Sequence, residues 1–109
     1  MRMWMCDPSI LCRKHLLGEH CELHKFRPSF VKGISITGRR GQIEPESMQE
    51  RHDELAKEMV KRGFNHNSPY EQPDLSHYNL FGFTVNKEAS LIDLYSRCDE
   101  CRRVKLKLD

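Results

Sequence analysis

The sequence lacks a long run of apolar residues. Asp7 and Pro8 interrupt the apolar start, and no stretch approaches the roughly 20 apolar residues of a membrane-spanning helix. The start is also too short for the apolar region of an export signal. We therefore expect a soluble protein of the cytosol that makes no use of a membrane.

Cysteines are few and odd in number. With five cysteines and no export signal, we expect reduced thiols rather than a disulfide framework. Cys98 and Cys101 form one C-x-x-C, whereas structural zinc sites usually take two such pairs from tight turns. Because this pair lies within a helical pattern, we expect buried thiols, no metal and no cofactor. A zinc-stabilised interaction domain is the weaker alternative.

Strong net charge is absent as well. The 109 residues carry a formal charge of +2, and 31% of them are charged, which predicts one domain over residues 1–109 with a small core. Residues 1–43, however, hold eight Lys or Arg against three Asp or Glu, and the remainder hold ten against thirteen. This asymmetry favours a surface that faces a polyanion, although an ordinary solvated surface explains the charge equally well.

Three segments have the pattern of amphipathic helices, and they predict an all-α fold. They span residues 7–26, 44–64 and 86–105. Asp7 and Asn86 are suited to be N-caps, Pro8 to the first helical position, and Gly63 to the position just past a helix end. Gly18 weakens the first helix by roughly 1 kcal/mol relative to Ala.

Two irregular connections separate these helices. Residues 27–44 contain "GISITGRRGQIE", which fits either a short hairpin or an irregular loop. Residues 65–85 contain two prolines and predict a long surface loop. Arg39 and Arg40 in the glycine turn, with Arg27 and Lys32 before it, could bind phosphates or serve solubility alone.

Polar residues form one stripe along the first predicted helix. His15, Glu19 and Glu22 return to nearly the same side of a helix, followed by Lys25 or Phe26. The stripe either points into a site or forms a solvated face. The bulky start "MRMWM" is unlike an unattached terminus, and we expect it to pack against the rest of the chain.

Three stretches resemble the phage-type pyrimidine-dimer DNA glycosylases, also called the bacteriophage endonuclease V type. They are "HLLGEHCELHKF", "RHDELAKEMVKRGFN" and "NKEASLIDLYSRCDE", in the order of that family. The resemblance implies a compact all-helical domain of three main helices, with the N-terminal segment packed between them. It also implies a monomer that acts on double-stranded DNA in a bacterial or phage-infected cell.

The resemblance further implies a catalytic pair. In the family, the α-amine of the first residue attacks C1' of a deoxyribose and a glutamate of the first helix assists, which corresponds to Met1 and Glu22. Aminopeptidases that remove the initiator Met generally require a small second residue. Arg2 is large, so Met1 is expected to stay. The implied activity is a DNA glycosylase with coupled abasic-site lyase activity, with a pyrimidine dimer as the first expected target. A DNA-binding module without catalysis is the alternative.

The expected DNA contacts come from the family resemblance and from the basic residues in and before the glycine turn. The resemblance implies Arg2, His15, Lys25 and Arg97, and adds Lys14, where the family tends to have an uncharged polar residue. The glycine turn adds Arg39 and Arg40, and the segment before it adds Arg27. The family has basic residues at the positions of Cys21 and Cys101. Because of these departures, the resemblance does not determine which base is excised.

Overall fold

Four α-helices make up the regular structure. The computed structural model describes residues 2–108, so the expectations for Met1 lie outside the described residues. The helices are α1 (Arg13–Val31), α2 (Met48–Lys61), α3 (Lys87–Arg97) and α4 (Asp99–Leu108). Single 3₁₀ turns occupy Pro8–Ile10, Thr37–Arg39 and Pro45–Ser47. Residues 2–108 contain no strand, which confirms the all-α prediction.

The first helix begins later than the sequence predicts. Asp7 does act as a cap, accepting a hydrogen bond from the Ser9 amide at 2.9 Å, but it caps one 3₁₀ turn only. The backbone is then extended at Leu11 and Cys12, which turns both side chains into the core before α1 begins. The predicted helix over 7–26 was therefore wrong at both ends, since α1 also continues through Pro28 to Val31.

The predicted third helix is two helices. Asn86 caps α3 as expected, accepting from the Ala89 amide at 3.0 Å. The backbone becomes extended at Cys98, with φ −129° and ψ 108°. The Cys98 Sγ then accepts from the Cys101 amide at 3.4 Å, so that this thiol takes the place of an N-cap side chain for α4. The prediction for α2 was closer, because Gly63 follows its end with φ +89°.

The N-terminal segment, residues 2–6, packs between the helices, as predicted. Its buried side chains are Met3, Trp4 and Cys6. Successive backbone groups bond to the Gln42 carbonyl at 2.8 Å, the Ser90 hydroxyl of α3 at 2.7 Å and Arg51 of α2 at 2.5 Å. Met5 adopts φ +58°, a left-handed conformation that is uncommon for a residue with a side chain. The segment is thus tied to three separate parts of the fold.

The two connections differ in how far they enter the core. Residues 32–44 form an irregular loop with one 3₁₀ turn, so the hairpin alternative was wrong. Residues 65–85 lack regular structure, as predicted, but Tyr70 and Phe83 are buried. The second connection is therefore partly a core element rather than only a surface loop. No helix among residues 2–108 combines the length and apolarity that crossing a bilayer would take.

Candidate active site

An open cleft of about 310 Å³ lies between the N-terminal segment and one side of α1. Lys14, Gly18, Glu22 and Lys25 recur at helical spacing and form this side of the helix. The residues lining the cleft are Arg2, Trp4, Lys14, His15, Gly18, Glu19 and Glu22. The predicted polar stripe therefore borders a concave surface that is open to solvent.

Glu22 lies against the start of the described chain. Its Oε2 accepts a hydrogen bond from the backbone amide of Arg2 at 2.8 Å. The two residues are 20 positions apart, so the contact depends on the N-terminal segment folding back over α1. The Glu22 carboxylate is consequently held beside the backbone amide of Arg2.

Asp93 of α3 forms ion pairs with two arginines, Arg2 and Arg97. Arg2 lies over the Trp4 ring, 4.2 Å from its centroid, and its Nη1 is 2.5 Å from the Asp93 Oδ2. Arg97 contacts the other carboxylate oxygen of Asp93, with Nε 2.8 Å from Oδ1. Arg2 and Arg97, both predicted DNA contacts, are thereby brought together. Asp93 was not among the predicted site residues, although its spacing of four residues from Arg97 was a usable signal.

Glu19 shares the stripe but has a different environment. It is almost fully buried, and it accepts two hydrogen bonds from Arg51 of α2, at 2.5 and 2.8 Å. The solvated-face alternative was therefore wrong for this residue. Glu19 lines the cleft, and the Arg51 guanidinium neutralises its charge from the core side.

The other predicted DNA contacts fall into two groups. Lys14 and Lys25 are exposed on the cleft side of α1, and Arg39 lies over the neighbouring Phe26 ring, 5.3 Å from its centroid. Arg27 instead donates to the Glu71 carbonyl at 2.5 Å, and Arg40 lies over the Phe83 ring. Of these five residues, Lys14 lines the cleft, and Lys25, Arg27, Arg39 and Arg40 lie outside its lining.

A family comparison agrees with this geometry. The family model described as pyrimidine dimer DNA glycosylase matches residues 1–72. The chain belongs to this family. No curated protein and no solved structure gives a significant match. Membership indicates a DNA repair glycosylase with DNA as its substrate, and the matched range holds the N-terminal segment, α1 and α2.

This glycosylase-family chain also contains two side-chain clusters with metal-ligating atoms. The first cluster is Cys12, His15, Cys98 and Cys101, and the second is His20, His24, His52 and His66. Within each cluster the possible ligand atoms lie within 4.8 Å of one another. The sequence offered the cysteines as a zinc site only as the weaker alternative, and it indicated neither complete set of four residues, because each set draws on segments far apart in the chain. The usable signals were the matching C-x-x-H and C-x-x-C spacings, and the pair of histidines four residues apart.

His15 joins the first cluster to the cleft. Its Nδ1 lies 3.2 Å from the Cys12 Sγ and 3.5 Å from the Cys101 Sγ, while its ring meets the Trp4 ring edge-on. Burial, and secondarily the charge of Lys14, lower the pKa of His15. The nitrogen that faces the thiols is unavailable to DNA, so a DNA contact by His15 would have to use Nε2.

The second cluster lies between α1, α2 and the following connection, with His20 and His52 buried and His24 and His66 half-buried. The Nε2 atoms of His20 and His66 are 2.8 Å apart, and those of His24 and His52 are 3.1 Å apart. Burial, followed by repulsion from the three neighbouring rings, lowers the pKa of His20 to about 4. The His20 ring is therefore neutral at neutral pH.

Proposed function

We propose that this chain is a DNA glycosylase with coupled abasic-site lyase activity, in which the α-amine of Met1 is the nucleophile and Glu22 assists. The observation that carries the proposal is the 2.8 Å hydrogen bond from the Arg2 amide to the Glu22 Oε2. It ties a helix carboxylate to the beginning of the chain, in a family whose members excise bases from DNA. Intact-mass measurement of the purified protein checks that Met1 is retained.

The α-amine is suited to this reaction. Its unperturbed pKa of about 7.7 to 8.0 leaves a neutral, nucleophilic fraction near neutral pH, unlike a lysine. No metal or cofactor is required for the attack.

The proposed reaction takes place at C1' and C2' of the target deoxyribose. The amine attacks C1', and the electrons of the glycosidic bond leave with the base, which takes up a proton. Loss of one proton from the resulting ammonium, followed by opening of the sugar ring with a proton delivered to O4', gives a protonated imine at C1'. This cation acidifies the C2' proton, whose removal expels the 3' phosphate by β-elimination. Glu22 is suited to stabilise the cationic intermediates and to move these protons.

Basic residues in the cleft and beside it support a nucleic-acid substrate. Lys14 and Lys25 are separated by about 16 Å along the axis of α1, with Gly18 and Glu22 between them. Arg39 lies over the ring of Phe26, the residue next to Lys25. Arg2 and Arg97 share the carboxylate of Asp93. We propose that these cations contact phosphates on either side of a displaced nucleotide, whose extrusion is cheapest at a damaged base.

Borohydride trapping tests the proposal. The protein is incubated with a duplex that contains one abasic site and then reduced, and a covalent protein–DNA adduct is expected. Selective acetylation of the α-amine should abolish the adduct. Lys14 is the lysine among the described residues that line the cleft, so Lys14→Arg is the matched control and should retain the adduct.

Two results would overturn the proposal. Unmodified protein that binds the duplex without forming an adduct would favour a catalytically silent DNA-binding module. An adduct that survives acetylation but disappears in Lys14→Arg would assign the attack to a lysine. If trapping succeeds, duplexes carrying pyrimidine dimers, uracil or modified cytosines will identify the excised base, with the dimer expected first.

A further inference from the structure

We propose that Cys12, His15, Cys98 and Cys101 together bind one zinc ion. The proposal is independent of the glycosylase activity, and it replaces the sequence-based expectation of a metal-free chain. That expectation depended on a continuous helix through the C-x-x-C. The structure instead breaks the helix at Cys98, so that both cysteines lie at a tight junction between α3 and α4.

The distances in this cluster match a tetrahedral zinc site. Tetrahedral zinc with ordinary Zn–S and Zn–N bonds separates two sulfurs by about 3.8 Å, and a sulfur from a nitrogen by about 3.5 Å. The Cys12 and Cys98 sulfurs are 3.8 Å apart, and the His15 Nδ1 is 3.2 and 3.5 Å from the Cys12 and Cys101 sulfurs. These three separations are close to those of a tetrahedral site, and all four ligand atoms lie within 4.8 Å of one another.

Backbone amides support the sulfurs in the way that metal-bound thiolates require. The Cys101 amide points at the Cys98 Sγ at 3.4 Å, and the Cys12 amide points at the Cys101 Sγ at 3.2 Å. Such outer hydrogen bonds orient ligands and stabilise their charge. Both arise because Cys12 and Cys98 each sit in extended backbone directly before a helix.

The donor set selects the metal and its role. Three sulfurs and one imidazole nitrogen form a Cys₃His set, which is typical of structural zinc. All four positions are filled by protein, so the ion would have no open site for catalysis. It would instead fasten the start of α1 to the α3–α4 junction, 86 residues away in sequence from Cys12 to Cys98.

Metal content and a cobalt spectrum test this site. The full chain is purified under reducing conditions without chelator, and zinc is measured by mass spectrometry of the elements. The Cys98→Ser/Cys101→Ser protein should hold one zinc fewer than the wild type. The matched control is Cys21→Ser, which removes an exposed cysteine outside the cluster and should keep the full zinc content.

The cobalt spectrum requires no variant. Cobalt exchanged into the wild-type protein should produce a near-ultraviolet charge-transfer band from sulfur to cobalt. Equal zinc contents in the wild type and the double variant would overturn the proposal, as would a cobalt-treated wild type without that band.

We also propose a second zinc ion at the four histidines, on separate observations. Four imidazoles from α1, α2 and the following connection converge through Nε2 pairs at 2.8 and 3.1 Å. These separations are slightly below the roughly 3.4 Å edge of a tetrahedral ZnN₄ site, so binding would require the rings to open by a few tenths of an ångström. The donors are all imidazole, which suits zinc and related divalent metals. In the structure the rings form two direct histidine–histidine contacts, and the His52 Nε2 also lies 3.1 Å from the Ser68 carbonyl oxygen.

The Cys98→Ser/Cys101→Ser protein isolates this second site. It should retain one zinc, which His66→Gln in the same background should remove. His77→Gln is the matched control, since His77 is exposed and belongs to neither cluster. A wild-type content of two zinc ions gives the same answer without any variant. A double cysteine variant without zinc, or a wild type with only one sulfur-bound zinc, would overturn the second proposal.

Discussion

Helix α1 presents polar side chains on two sides, and the two sides differ in what those side chains contact. On the cleft side, Lys14 and Glu22 border open volume at the start of the chain. On the core side, Glu19 and His20 are buried against α2 and its connection. Among residues 2–108, no buried side-chain nitrogen or oxygen atom lacks a hydrogen-bond partner.

This difference separates function from stability along one helix. A buried polar group that loses its partner costs free energy, whereas a polar group at an open cleft can be exchanged with little cost to the fold. Core-side substitutions should therefore change stability first, and cleft-side substitutions should change activity first. The following substitutions test that division, from the largest expected effect to the smallest.

Removing the partner of Glu19 should have the largest effect on stability. Arg51→Met leaves a carboxylate buried without its two hydrogen bonds, and we expect a loss of about 3–5 kcal/mol in the free energy of unfolding. Urea denaturation measures it. Lys57→Met, at an exposed position of the same helix, is the control and should change stability by less than about 0.5 kcal/mol. A loss below about 1 kcal/mol in Arg51→Met would show that the pair of Glu19 and Arg51 is not a structural requirement.

Neutralising Glu22 should affect catalysis instead. Glu22→Gln preserves the shape of the side chain but removes the charge and the proton acceptor, so we expect single-turnover cleavage of abasic-site DNA to fall about 10²- to 10⁴-fold. Its free energy of unfolding should remain close to that of the wild type. Unchanged cleavage would remove Glu22 from the mechanism, and a large loss of stability would place it with the core-side residues.

Filling the cleft at Gly18 should move stability and activity in opposite directions. A Cβ at this position would meet nothing within 4 Å outside its own helix and neighbours. Gly18→Ala should therefore raise the free energy of unfolding by up to about 1 kcal/mol through helix propensity. Because the methyl group projects into the cleft, we expect weaker cleavage. Thermal denaturation and cleavage assays on the same preparation check both effects, and lower stability would contradict the open-space geometry.

Removing one phosphate contact should have the smallest effect. Lys25→Ala should reduce the slope of log affinity against log salt by about 0.9, as expected for one lost ion contact with duplex DNA. Arg27→Ala is an informative comparison, because Arg27 donates to the Glu71 carbonyl beside α1. We expect the salt slope of Arg27→Ala to remain unchanged. Equal slopes for wild type and Lys25→Ala would place Lys25 outside the DNA interface.

Local signals in the sequence predicted the local features of the fold. Asn86 and Gly63 act at helix ends as their chemistry predicts, and the bulky N-terminal segment is buried. The stripe through Glu22 borders a cleft, as one of two alternatives stated. These features depend on residues close in sequence, or on a terminus whose composition is incompatible with exposure.

Features that depend on distant residues could not be predicted in this way. The break at Cys98 follows from an extended backbone that helical periodicity does not reveal. The partner of Glu19 is 32 positions away, and His20 meets His66 across 46 positions. Such pairs require the packing of α1 against α2, so the same polar residues were compatible with a solvated face until that packing was known.

The most direct test of the central proposal is the location of the bond between protein and DNA. The borohydride-reduced adduct is digested with protease and nuclease, and the modified peptide is sequenced by mass spectrometry. We expect a deoxyribose remnant on the α-nitrogen of Met1. A remnant on the side chain of Lys14, or on any other lysine, would contradict it.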